Sequence, residues 1–149
     1  LTTSPTAPAP DPAPYAIVAG YGLPGRATVE WLQRHKIEFC VVDQNPQTVS
    51  RCAKHDLPII EGNIKEEQTL RRAGIERATL LALAVPDEMA VREATSIARR
   101  LNPTVYIIAR MNFTSGGMHA VRLGANEAVV AEQAVAIEFA RLLESKFGP

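Results

Sequence analysis

The sequence predicts a doubly wound α/β fold, a Rossmann-like six-stranded parallel sheet with helices on both faces, and three observations carry that expectation. Short apolar runs alternate with longer amphipathic segments from Tyr15 onward, the pattern of repeated strand-helix units around a parallel sheet. The runs AIVAG, FCVVD, LLALAV and VYIIA are apolar at nearly every position, as strands covered by helices on both faces must be; an antiparallel sheet would alternate. The first run leads directly into a glycine-rich turn at the head of an amphipathic helix.

Each element has its own signal. Residues 1–14, LTTSPTAPAPDPAP, hold five prolines, which forbid helix and deny a sheet its donors. An extended linker is expected there, either a tether from a preceding domain or a disordered end, with the folded domain over 15–149. A strand over Tyr15–Gly20 precedes a helix over Gly25–His35, with Pro24 in the first turn where its missing N–H costs nothing. A strand over Glu38–Asp43 precedes a helix over Pro46–His55, for which Asn45 is the cap candidate. A strand over Pro58–Glu61 is followed by a helix over Glu66–Ala73, whose opening acids suit its positive end. Strands over Thr79–Val85, Val105–Ala109 and Glu127–Val130 are followed by helices over Glu88–Leu101, Thr114–Leu123 and Glu132–Phe147. The stripes Met89, Val91, Ala94, Ile97, Ala98, Leu101 and Met118, Val121, Leu123 read as core, or as a dimer surface if one faces outward at the sheet edge. Right-handed crossovers place the ligand crevice at the carboxyl ends of the strands, near the switch point.

Composition narrows the function classes. The 149 residues, 46% hydrophobic and 21% charged, suit one domain. Sixteen basic and sixteen acidic side chains cancel, leaving no global field to hold nucleic acid or an anionic membrane. The longest apolar run, Leu80–Pro86, is strand length, far short of the roughly 18 residues of a membrane span. Two cysteines, Cys40 and Cys52, without paired spacing exclude a disulfide framework and a Cys-rich metal site, which fits a reducing, cytoplasmic setting. The opening has no basic or apolar signal-peptide region, and a start at Leu1 reads as a piece of something longer.

Gly20, Gly22 and Gly25 form G-x-G-x-x-G between strand and helix. The first permits the tight turn, the second admits a pyrophosphate, and the third lets helix and strand approach; the helix start offers N–H groups to an anion. Leu23 and Pro24 lie in this loop. Asp43 ends the second strand eighteen residues after Gly25, where a carboxylate accepts from ribose hydroxyls; its other role would be a cap of the helix that follows Gln44. With Asp43 acidic and no cation in Gln44–Gln47, a ribose 2′-phosphate meets repulsion, which argues against NADP. Gly62, Asn63 and Ile64 sit at the end of the third strand, where Asn63 either meets an adenine edge or simply makes a turn. Ala84, Val85 and Pro86 would line the ligand's face, and Arg110 and Glu132 fall at the same rim, either closing the pocket or forming an ordinary ion pair.

Taken together, GYGLPG, VVDQNP, IIEGNIKEEQTLRRAGIERA, LAVPDEMAVREATSIARRLNP, IIARMN and LGANEAVVAEQ resemble the TrkA-N or RCK N-terminal regulatory domain, over about Tyr15–Leu143. More narrowly, they resemble the carboxyl-terminal cytoplasmic domain of Kef-type cation:proton antiporters. The resemblance implies a homodimer that binds an adenine nucleotide (AMP, ADP, ATP or NAD(H)) and regulates a membrane-embedded ion-transport domain in the same polypeptide, on the cytoplasmic side of the inner membrane. The family pattern carries over at Gly20, Gly22, Gly25, Asp43 and Gly62. Two departures stand out: Gly62-Asn63-Ile64 replaces the relatives' Gly-Asp-Ala and removes a carboxylate, and Leu23 replaces an arginine, removing one phosphate contact unless the Arg26 side chain reaches back to supply it.

An oxidoreductase reading lacks a substrate-holding region and a poised acid or base. His35, His55 and His119 read as surface histidines and both cysteines as core thiols, and no Gly-Lys-Ser/Thr follows the loop for phosphoryl transfer. The rivals to the antiporter domain are the equivalent domain of a potassium channel or Trk-type uptake system and a fragment of a small NAD-dependent oxidoreductase.

Overall fold

The computed structural model describes residues 13–149, so the linker expected over 1–14 lies outside the described residues except for Ala13 and Pro14. Six strands, β1 (Tyr15–Ala19), β2 (Glu38–Asp43), β3 (Ile59–Glu61), β4 (Leu80–Leu83), β5 (Tyr106–Met111) and β6 (Glu127–Val130), form one sheet in the order β3-β2-β1-β4-β5-β6. Every pairing is parallel, and Ile17 of β1 stands in register with Cys40 on one side and Leu81 on the other. The chain moves outward from β1 to β3, then returns to the centre and moves outward the other way from β4 to β6. This is the doubly wound α/β fold.

Right-handed crossovers fix where the helices go. Moving one way, α1 (Leu23–Arg34) and α2 (Pro46–Lys54) cover one face over β1–β3; moving the other way, α4 (Glu88–Leu101) and α5 (Thr114–Leu123) cover the opposite face, joined by α3 (Glu67–Ala73). The core is accordingly split by the sheet. Ile17, Leu70, Ile75, Leu81, Leu83, Val91 and Ile107 pack on the α3–α5 side, and Val18, Val29, Leu32 and Val41 on the α1 side. Each is essentially buried, a burial worth about 1.5–3 kcal/mol per side chain. Of the stripe predicted on α4, Val91, Ala94 and Ala98 are core, whereas Met89 is exposed; on α5, Met118 and Val121 are exposed. The last helix, α6 (Ala131–Phe147), buries no residue.

Buried polar side chains tie the connections. Asn102, which ends α4, donates through Nδ2 to the Ile75 and Ala78 carbonyls (2.8 and 2.9 Å) and accepts at Oδ1 from the Thr104 and Val105 N–H groups. At the amino-terminal edge of the sheet, the Tyr15 hydroxyl donates to the Ala73 carbonyl at 2.5 Å. The Arg77 guanidinium lies 3.6 Å from the Tyr15 ring centroid and pairs with Glu38 at 3.2 Å.

The ends of three elements differ from the sequence expectation by two residues, and hydrogen bonding accounts for two of them. α1 begins at Leu23, two residues early, because the Gly22 carbonyl already accepts from the Arg26 N–H (2.9 Å). β4 stops at Leu83, releasing Ala84–Pro86 into the crevice. β5 continues to Met111 because Arg110 and Met111 pair with Val129 and Val130, so Arg110 lies within the strand instead of beyond it. A short 3-10 turn, Ile75–Arg77, was not anticipated.

Candidate functional site

The glycine loop after β1 is shaped by close approaches. Gly20 has φ +94°, and a Cβ there would meet Val85 Cγ1 at 2.8 Å, so the loop lies directly against the β4–α4 connection. A Cβ on Gly25 would fall 1.8 Å from the Gly20 carbonyl oxygen; only glycine lets α1 start against the loop. Gly22 differs from both. Its backbone is extended, with φ −80°, and a Cβ would meet nothing within 4 Å. Packing does not demand glycine at this position, and the bare backbone faces open space in front of the α1 N-terminus.

The β2 side supplies the carboxylate. Asp43 accepts the Tyr21 N–H at Oδ2 (3.0 Å) and the Asn45 N–H at Oδ1 (2.9 Å), so it both holds the glycine loop and orders the turn into α2. The cap of α2 is Asn45, whose Oδ1 accepts from the Gln47 N–H at 2.9 Å. Gln44 is exposed beside them. At the end of β3, the Gly62 N–H donates to the Asp43 carbonyl (3.1 Å), and a Cβ on Gly62 would meet Thr69 Cγ2 at 2.6 Å. Asn63 accepts from the Lys65 N–H (3.0 Å), which commits its amide oxygen to the turn, and Ile64 is buried beneath.

Gly20, Gly22, Leu23, Pro24, Asp43, Gln44, Gly62, Asn63, Ile64, Val85 and Arg110 line one cleft of about 470 Å³ at the carboxyl edge of the sheet. Gly25 lies behind its wall and shapes it through the Gly20 contact. Glu132, at the start of α6, does not line the cleft, and it forms no ion pair with Arg110 among the described residues. Sequence reasoning missed Tyr21, Asn45 as a wall residue, and Asp87. Asp87 caps α4, accepting from the Met89 and Ala90 N–H groups at 3.0 and 3.2 Å. Its signal was available: an aspartate just before a predicted helix and just after a central strand belongs at the same crevice as the first glycine turn.

A second, apolar cavity of about 540 Å³ adjoins the cleft through Leu23, Pro24, Ala84 and Arg110 and opens over Ala82, Ile108 and Val129. This is the α1-side face of β4–β6, which no helix of the sheet's own crossovers covers. Among the described residues no cluster of three or more His, Cys, Asp or Glu is arranged to hold a metal ion, and no helix is long and apolar enough to cross a membrane.

Known proteins share this arrangement. The TrkA-N domain model matches residues 16–131. YbaL of Escherichia coli (strain K12), named as a cation/proton antiporter, is 28% identical over 131 residues, 88% of this chain and 24% of YbaL. Potassium channel protein 1 of Methanocaldococcus jannaschii is 28% identical over 128 residues, 85% of this chain and 38% of the channel. The chain thus spans well under half the length of either relative. The crystal structure of the TrkA-N domain of the E. coli inner membrane protein YbaL superposes with a TM-score of 0.84, covering 90% of this chain and 99% of that one. The GsuK structure bound to ADP, 27% identical, gives 0.79 over 90% of this chain and 35% of that one; the GsuK channel bound to NAD, also 27% identical, gives 0.76 over 94% and 25%. The chain is therefore a member of the TrkA-N domain family, whose matched relatives include proteins named as cation/proton antiporters and as a potassium channel.

Proposed function

We propose that this chain is an adenine-nucleotide-binding regulatory domain, without turnover of its own, that gates a Kef-type potassium or cation:proton antiporter from the cytoplasmic side of the membrane. The observation that carries the nucleotide is Gly22: a glycine that packing does not require, at an open helix N-terminus, with the Asp43 carboxylate on the neighbouring strand. In this reading the diphosphate or phosphate rests on the α1 start, the ribose on Asp43, and the base beside Gly62–Ile64. GsuK in complex with ADP and with NAD supports the ligand class. Asp43, with no cation between Gln44 and Gln47, disfavours a 2′-phosphate and hence NADP. YbaL and the efflux-system relatives named KefC support the antiporter setting. The equal identity to a potassium channel supports a second reading, in which the attached membrane part is a channel.

The unit that responds is a homodimer. The α1-side face over β4–β6 is apolar and open, and α6 carries Val135, Ile137, Phe139, Leu142, Leu143 and Phe147 with more than half of each exposed. A helix apolar on so many sides requires a partner. A second copy supplies both halves of the match, its α6 against this floor and its floor against this α6, as a two-fold pairing demands. A nucleotide that binds one arrangement of the pair better than another shifts the population of the two, and the membrane part follows. Leu23, Pro24 and Arg110 line both the cleft and the open face, so ligand and partner would share side chains.

Calorimetric titration of the chain with AMP, ADP, ATP, NAD, NADH and NADPH, repeated on Asp43→Ala and on Gly22→Ala, tests this. Saturable binding of an adenine nucleotide that both variants weaken is expected, with thermal unfolding of each variant confirming the fold. Absence of binding to all six would leave a dimerisation scaffold.

A further inference from the structure

We propose, resting on the nucleotide reading above, that the cleft selects by phosphate charge: it takes an adenine nucleotide whose phosphate is single or bridges two nucleosides, and rejects terminal di- and triphosphates. At the carboxyl edge of this sheet, the helix starts are the natural anion sites. The α1 start is open. The α4 start is filled by the Asp87 carboxylate, and the loop entering α5 by Glu88, which accepts from the Asn112 and Phe113 N–H groups at 2.6 and 3.4 Å. The chain has thus filled the α4 start with its own anion, and that anion, Asp87, lines the cleft.

The open site is also modest. Pro24 lacks an N–H, and the Arg26 N–H is already bonded to the Gly22 carbonyl. Leu23, 80% exposed at the first position of α1, brings no charge. Arg110 is the one cation among the cleft-lining residues, against the carboxylates Asp43 and Asp87. Arg26 lies 5.4 Å from the ring centroid of Tyr21, a wall residue, but does not itself line the cleft. One phosphate, or the two singly charged esters of a dinucleotide, matches this supply; a chain of phosphates growing from α1 toward the β4–α4 loop meets Asp87 instead of a cation.

The test is titration with AMP, NAD, ADP and ATP in magnesium-free buffer at low ionic strength. AMP or NAD is expected to bind at least about tenfold more tightly than ATP, a preference that salt erodes. Comparing AMP with NAD tells which of the two phosphate forms the cleft takes. Asp87→Asn keeps a competent helix cap while removing the charge, and it is expected to narrow the gap between AMP and ATP. ATP binding as tightly as AMP and NAD, or a gap unchanged in Asp87→Asn, overturns the inference while leaving the nucleotide reading intact. Failure of all four to bind overturns both.

Discussion

Gly22 and Gly25 belong to one motif yet are glycine for different reasons, and substitution separates them. Gly25→Ala drives a methyl into the Gly20 carbonyl, and a loss of about 3 kcal/mol or more is expected in urea unfolding. Gly22→Ala meets no atom, so its stability should stay within about 0.5 kcal/mol of the parent while nucleotide affinity falls. The spacing made all three glycines and Asp43 legible in the sequence, because each stands at a strand-to-helix turn whose pattern is local. Asp87 carried a local signal, an aspartate just before a helix, but its place on the cleft also depends on β4 lying beside β1. Glu132 was misplaced for the complementary reason: β6 is the far edge strand, and being at the same rim does not bring its helix to the central crevice.

At the scale of elements, the strands and helices were legible from apolar runs and caps, but their ends were set by partners. Arg110 was expected at the end of the fifth strand, whereas pairing of Arg110 and Met111 with Val129 and Val130 carries β5 one residue past it. Asn102→Ala removes the donor to two buried carbonyls and the acceptor for two N–H groups, and should cost about 3 kcal/mol in equilibrium unfolding. Tyr15, whose hydroxyl bonds the Ala73 carbonyl, is pushed by burial from its ordinary value of 10.0 up to about 12. Folding therefore favours the neutral phenol, a contribution fully present below pH 10 and lost as pH rises toward 12. Unfolding measured across that window should show stability falling with pH, and Tyr15→Phe should flatten the fall.

Among the described residues, two directions of winding leave the α1-side face of β4–β6 without a crossover helix, and α6 buries no residue. The sequence marked α6 as a helix but not that, among the described residues, none of its side chains is buried, which follows from the topology. The double substitution Ile137→Glu with Phe139→Glu alters exposed positions, so circular dichroism should be unchanged while sedimentation shifts from two chains to one. An unaltered sedimentation profile would place the pairing elsewhere. The central claim is that this edge of the sheet holds an adenine nucleotide, and the most direct test is to follow the backbone amide resonances of isotope-labelled chain during titration with AMP and with NAD. Saturable shifts concentrated at Gly20–Gly25, Asp43–Asn45, Gly62–Ile64, Val85 and Arg110 are expected. Saturating nucleotide that leaves those amides unmoved, or moves a different surface, would contradict it.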